Sequence, residues 1–139
     1  MAGLIPQRTT NFNIRDHTWL ASAEGLEYAQ SATLHGASLR AAGNHREQNW
    51  VKGGTPLGEI TAAGATQGQL GLYDPAATDG RQKHVGFLVD SIQVVDPVTG
   101  ANNEPLTGAV LRRGQVIVNR LPVTFDATDA DASPHFIYR

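Results

Sequence analysis

The sequence predicts a mainly β protein with little helix and an extended N-terminal arm, and three observations carry that expectation. Turn signals cut the stretch from Gly53 to Ile92 at short intervals: Pro56 followed by Gly58, then Gly64 and Gly68, then Asp74-Pro75 and Asp79-Gly80. The pieces between them, Leu57 to Thr61, Leu70 to Tyr73 and His84 to Asp90, are only long enough to be strands. In the last piece Val85, Phe87 and Val89 alternate with His84, Gly86, Leu88 and Asp90, a period of two that buries one face of a strand. Finally, 15 glycines and 7 prolines in 139 residues together exceed the roughly 12% of average usage, which favours many short elements over long helices.

Residues 1–15 are polar and show no helical period, yet Asn11-Phe12-Asn13-Ile14-Arg15 alternates strictly behind the β-branched Thr9 and Thr10. Thr9, Thr10, Asn11, Phe12, Asn13, Ile14 and Arg15 therefore read either as a frayed terminus or as an arm that pairs with an exposed sheet edge on another protein. Residues 16–139 read as one domain. Trp19, Ala23 and Leu26 have helical spacing, so a short helix is expected there, although Gly25 inside it costs about 1 kcal/mol relative to alanine and Ser31 to Gly36 interrupts further. Asn44 to Asn49 is a polar loop, and Trp50-Val51 begins the ordered centre. Both tryptophans read as packing anchors.

Beyond the centre, Ile92 and Val94 continue the alternation as far as Asp96-Pro97, where proline removes a ladder donor. Thr99 to Pro105 is a loop. Gly108 to Leu111 and Gln115 to Leu121 are apolar runs separated by Arg112-Arg113-Gly114, a spacing that suits a hairpin or a bend. Asp126 to Pro134 is an acidic turn region, and Phe136-Ile137-Tyr138 reads as a final short strand.

Aromatic residues make up 6% of the chain and alanine much of its 40% hydrophobic share, so the core should be thin and should gain from burial against further copies or a partner. A formal charge of −2, with Arg81 to Lys83 and Arg112-Arg113 as the densest basic points, gives no electrostatic footprint for nucleic acid. No run approaches the roughly 20 apolar residues that span a bilayer, and MAGLIPQRTTNF lacks the basic start and apolar stretch of a signal peptide. A soluble protein with neither a membrane nor a nucleic-acid partner is expected. With no cysteine, disulfides and thiolate metal sites are excluded.

Enzyme chemistry needs groups that converge, and the sequence offers no GxSxG elbow, no HExxH and no GxxxxGK[ST] loop. His17, His35, His45, His84 and His135 fit no metal spacing, and Asp126, Asp129 and Asp131 lack the glycine and terminal glutamate of a calcium loop, which leaves Asx turns as their reading. Asp74 and Asp79 flank a turn built on Pro75 and Gly80 and read as loop geometry. No catalytic, metal or cofactor-binding residue is expected, and no cofactor.

The centre also carries a resemblance. Gly54-Thr55-Pro56-Leu57-Gly58-Glu59-Ile60-Thr61, then Tyr73-Asp74-Pro75-Ala76-Ala77-Thr78-Asp79-Gly80-Arg81, then Val85-Gly86-Phe87-Leu88 are similar, in order and spacing, to successive blocks of the lambda-type bacteriophage head decoration proteins. Arg113-Gly114-Gln115-Val116 to Leu121-Pro122 resembles a later strand of that family, and Trp19-Leu20-Ala21-Ser22-Ala23 with Gly25 the leader of its longer members. The likeness runs from about Asp16 to the C-terminus. It implies a β-clip fold, a bent ribbon or small barrel, assembled as a homotrimer on the outer surface of the virion's capsid. The major capsid protein would be the partner, and stabilisation of the expanded head against packaged DNA the function. The leader is longer than that of the lambda protein, so the role of residues 9–15 as a capsid-binding arm does not transfer position by position. Two other classes remain: a trimeric β-clip nucleotide hydrolase of the deoxyuridine triphosphatase kind, for which the phosphate-holding loop and water-activating aspartate are not found, and a receptor- or glycan-binding β module with few aromatic platforms.

Overall fold

The computed structural model describes residues 17–40, 46–47, 50–96, 98–102, 105–123, 125–128 and 132–139. The arm, residues 9–15, and with it any account of how it pairs, lies outside the described residues, as do His45, Asp129 and Asp131. Among the described residues strand outweighs helix, 34% against 10%, so the mainly β expectation holds.

Five strands close into a small barrel in the order β1 (Gln30–Leu34), β5 (Leu70–Leu72), β4 (Pro56–Glu59), β6 (His84–Leu88) and β8 (Leu106–Leu111). All neighbours pair antiparallel except β1 and β5, which meet in parallel at Leu34 and Leu70. Two small sheets flank the barrel: β2 (Arg46–Glu47), β3 (Trp50–Val51) and β7 (Ile92–Gln93) form one, and β9 (Gly114–Val116) pairs in parallel with β10 (Phe136–Tyr138) in the other. One short helix, α1 (Gly36–Arg40), follows β1. Among the described residues no helix is long and apolar enough to cross a membrane.

The apolar residues sort into two clusters. Leu34, Leu57, Leu70, Leu88, Leu106 and Val110 are contributed by all five barrel strands, and Leu39 from α1, Val51 from β3 and Val94 join them in this wholly aliphatic interior. The second cluster gathers Trp19, Tyr73, Phe87, Leu111, Phe125 and Phe136, between the β6–β8 wall and the β9–β10 sheet. The core is thus not one thin layer but two, segregated by chemistry and sharing a wall.

Strand β6 belongs to both, and its sequence pattern misleads on how. Alternation puts Val85, Phe87 and Val89 on one face and His84 on the other. In the structure Leu57 of β4 opposes Gly86 and Gly58 opposes His84, so Val85 is the extra residue of a β-bulge. The bulge inverts the phase upstream of it. His84 then shares the aromatic cluster with Phe87, ring centroids 4.6 Å apart, while Val85 packs with Leu88 on the aliphatic side. Both faces are buried, not one. Gly86 lets β8 approach this deformed strand: a Cβ there would lie 2.4 Å from the Leu111 carbonyl oxygen.

The loop after β5 folds back over β4. Thr61 N–H donates to the Asp79 carbonyl at 2.8 Å and Asp74 N–H to the Arg81 carbonyl at 3.1 Å. The Arg81 backbone passes so near Gly58 that an added Cβ would lie within 3 Å of three of its atoms. The Arg81 Nε grips both oxygens of Asp79 at 3.2 and 3.0 Å. Burial alone would raise the Asp79 carboxyl, but the hydrogen bonds from Arg81 and its charge outweigh this and hold it below the usual range.

Elsewhere several expectations are corrected. No helix spans Trp19 to Leu26: Gly25 adopts φ 91°, only a 3₁₀ turn forms at Leu26–Tyr28, and the chain at 19–21 instead runs alongside β9. Ile117 N–H donates to the Trp19 carbonyl at 2.7 Å, and Ala21 N–H to that of Gln115 at 3.0 Å. Ser31 to Gly36, read as an interruption, holds most of barrel strand β1 and the start of α1. Arg46–Glu47 within the expected polar loop is a strand. Of the two readings of Arg112-Arg113-Gly114, hairpin or bend, the structure has the bend, because β9 takes β10 as partner rather than β8. The run expected through Leu121 ends at Val116 and gives way to a 3₁₀ turn at Val118–Arg120. Trp19, 2% exposed, is the expected packing anchor.

Two substitutions test the double-sided wall. Phe87→Ala should lower unfolding free energy by about 3–5 kcal/mol through lost transfer and a residual cavity. Gly86→Ala should cost roughly 1–3 kcal/mol by forcing β6 from β8. Urea unfolding of each variant checks both; a Gly86→Ala protein as stable as the parent would show that the close approach carries no constraint.

Candidate functional site

Where the start of β6, the β8–β9 bend and the turn before β10 meet, they leave a cleft of about 660 Å³ lined by His84, Val85, Arg112, Arg113, Ser133, Pro134 and His135. Each wall has a local cause. The bulge turns His84 inward, Gly114 at φ 152° sharpens the bend that carries the two arginines, and hydrogen bonds centred on Ser133 fix the third wall. Ser133 N–H donates to His84 Nδ1 at 3.1 Å, His135 N–H to Ser133 Oγ at 3.3 Å, and the Tyr138 hydroxyl to the Ser133 carbonyl at 2.7 Å. Burial pushes the Tyr138 phenol up to about 12, so it remains a donor.

His84 is 4% exposed and packed among aromatic rings, with Phe125 at 4.8 Å, Phe136 at 5.7 Å and Tyr73 at 5.5 Å between centroids. Burial drives its pKa down to about 4, opposed in part by the Gly86 backbone, so the ring is neutral at neutral pH. Because Nδ1 accepts from Ser133, the ring proton resides on Nε2. That atom is buried and has no hydrogen-bond partner among the described residues. Arg112 and Arg113 are exposed, and among the described residues neither side chain has an ion-pair partner. The lining is therefore rich in donors and, among the described residues, holds no carboxylate.

Of the other described histidines, His135 lines the same cleft, whereas His17 and His35 do not. His17 meets Asp90 at 2.9 Å, and His35 Nδ1 contacts Ser38 Oγ at 3.0 Å. Asp126 accepts from the hydroxyl and backbone N–H of Thr128 at 2.6 and 2.9 Å, the expected local turn, and these bonds hold its carboxyl below the usual range. Asp74 likewise accepts from the Ala76 N–H at 3.0 Å. Among the described residues no group of three or more His, Cys, Asp or Glu side chains is placed to hold a metal ion. The sequence reading missed the cleft, taking Arg112-Arg113 as solvated charge and His84 as one scattered histidine. The available signal was a histidine at the head of a strand that has no other polar side chain.

The chain was compared with protein-family models, curated proteins and solved structures, and none of them matches it.

The buried histidine makes stability depend on pH with a definite sign. In the unfolded chain it takes up a proton near its ordinary 6.5, whereas in the folded chain it resists until about 4. The unfolded state thus binds more protons between those values. Stability is full above pH 6.5, falls as pH drops toward 4 by roughly 3 kcal/mol, and gains no further loss from this group below that. His84→Phe should flatten this slope, while costing about 1–3 kcal/mol at pH 7 because the Ser133 N–H loses its acceptor. Urea melts of both proteins from pH 7 to pH 4 provide the check, and equal slopes would remove His84 as the cause.

Proposed function

We propose that this chain is a capsid decoration protein: it docks as homotrimers on the outside of an expanded bacteriophage head, with the major capsid protein as partner, and stiffens the shell against the pressure of packaged DNA. The observation that supports this reading is the placement of the sequence blocks that resemble the decoration family. The Gly54 to Thr61 block supplies β4, the Tyr73 to Arg81 block is the loop folded over it, and the Val85 to Leu88 block lies in β6, which pairs with it. Blocks separated in sequence form one continuous patch, as residues that specify a shared architecture would.

Such a function is mechanical. A protein that binds the expanded shell and not its compact precursor stabilises the expanded state by linkage. A trimer that touches several capsid subunits at once gains avidity without new kinds of contact. A cyclic trimer uses two different patches on each copy and closes on itself. The alternating segment at residues 9–15 is the proposed capsid-binding arm, adding a strand to the capsid protein's sheet.

Purified protein mixed with expanded and unexpanded heads should decorate only the former, seen by electron microscopy as trimers at local three-fold positions. Binding to neither, or turnover of nucleoside triphosphates by the purified protein, would replace this reading. Dimers or monomers at the docked sites would contradict the trimer.

Deleting residues 1–15 should leave the melting curve nearly unchanged while greatly weakening shell binding. Replacing Phe12 and Ile14 by aspartate should do much of the same, since apolar contacts are lost while backbone pairing survives. A truncated protein that decorates as tightly as the full chain would move docking to the folded body.

A further inference from the structure

We propose that the cleft between the start of β6, the β8–β9 bend and residues 133–135 binds the dianionic phosphate group of a small phosphate ester. Three observations converge on it. Arg112 and Arg113 line the cleft with no ion-pair partner among the described residues, and a guanidinium fork matches phosphate oxygens in pairs. Glu24 and Glu27 share a separate hollow with Arg113 and form no ion pair with it. The opposite wall adds Ser133, whose Oγ accepts from the His135 N–H and, among the described residues, donates to none. His84, in the same wall, accepts the Ser133 N–H on Nδ1 at 3.1 Å and holds that wall in place, while its Nε2 is buried without a partner among the described residues.

The charge decides the ligand class. Two guanidinium groups, with no carboxylate among the described residues of the lining, complement two negative charges, which favours a phosphate dianion over a single carboxylate. Size decides between sources: about 660 Å³ is far more than an inorganic phosphate fills and falls in the roughly 300–1,000 Å³ range of small-molecule sites. The inference is independent of the decoration role, since the cleft lies within one copy of the chain and uses nothing from residues 9–15.

The test titrates the full chain at pH 7 and constant ionic strength with inorganic phosphate, adenosine 5′-monophosphate or acetate, following backbone amide resonances by NMR. The monophosphate should shift the signals of His84, Arg113 and Ser133 saturably. Inorganic phosphate should shift the same signals more weakly, and acetate should leave them in place. The double variant Arg112→Gln/Arg113→Gln should bind the monophosphate at least ~10-fold more weakly, the loss of one charge-assisted hydrogen bond. Arg120→Gln, elsewhere on the surface, should bind like the parent. Both variants replace exposed residues, so their melting temperatures should match the parent's and report that the fold is intact. Absence of a saturable shift, an equal response to acetate, or unchanged binding in the double variant would overturn the proposal. Saturation by inorganic phosphate as tight as by the ester would overturn the ester as the ligand.

Discussion

The bulge at Val85 is the constraint on which most of this structure depends. One extra residue in β6 inverts which side chains face which way, and it does so in the strand that pairs with both β4 and β8. Downstream of it Leu88 enters the aliphatic barrel and Phe87 the aromatic cluster; upstream of it Val85 and His84 reverse the assignment that simple alternation would give them. Without the bulge the buried imidazole would be directed into a barrel of leucines and valines with no acceptor or donor for it. With it, Nδ1 meets the Ser133 N–H at 3.1 Å, tying the barrel to the segment that leads into β10.

Segregating aromatic from aliphatic residues lets a chain with few aromatics build two cores. Phe87 makes edge-on contacts with Phe125 and Phe136, and Trp19 closes the cluster from the N-terminal side at 5.7 Å. Pairs of this kind contribute about 0.5–1.5 kcal/mol beyond area burial, so the cluster gains from geometry as well as size. Its members come from the leader, the barrel wall, the acidic turn region and the C-terminal strand, which is why the ends of the described chain are held against its middle.

What was legible in the sequence followed from local chemistry. Asp74-Pro75 and Asp79-Gly80 marked real turns because their causes lie within a few residues, and β5 and β6 followed from the spaces around them, whereas Pro56 and Gly58, read as a turn, lie inside β4, where Pro56 opposes Phe87 and Gly58 opposes His84. What was not legible depended on distant partners. The strand Gln30–Leu34 has a largely exposed polar face and a single fully buried residue, Leu34, so its membership in the barrel is decided by β8 and not by its own pattern. The helix suggested by Trp19, Ala23 and Leu26 lost to backbone pairing with β9, a contact nearly a hundred residues away in sequence. The cleft was hidden for the same reason: His84, Arg112 and Ser133 are brought together by the bulge, the Gly114 bend and the parallel β9–β10 pair, none of which a short window can register.

The decoration reading asks the folded body to be a stiff unit on a shell, and a stiff unit requires its two cores to open together. Native-state hydrogen exchange measures this directly, residue by residue. If β6 locks the cores into one cooperative body, the amides of Gly86, Phe87 and Leu88 should exchange with the same free energy as those of Leu57 in the barrel and Val116 beside the aromatic cluster, and all should fall in parallel with added denaturant. Amides near Val116 opening at a markedly lower free energy than those of the barrel would mean that the clusters unfold separately and that β6 does not unite them.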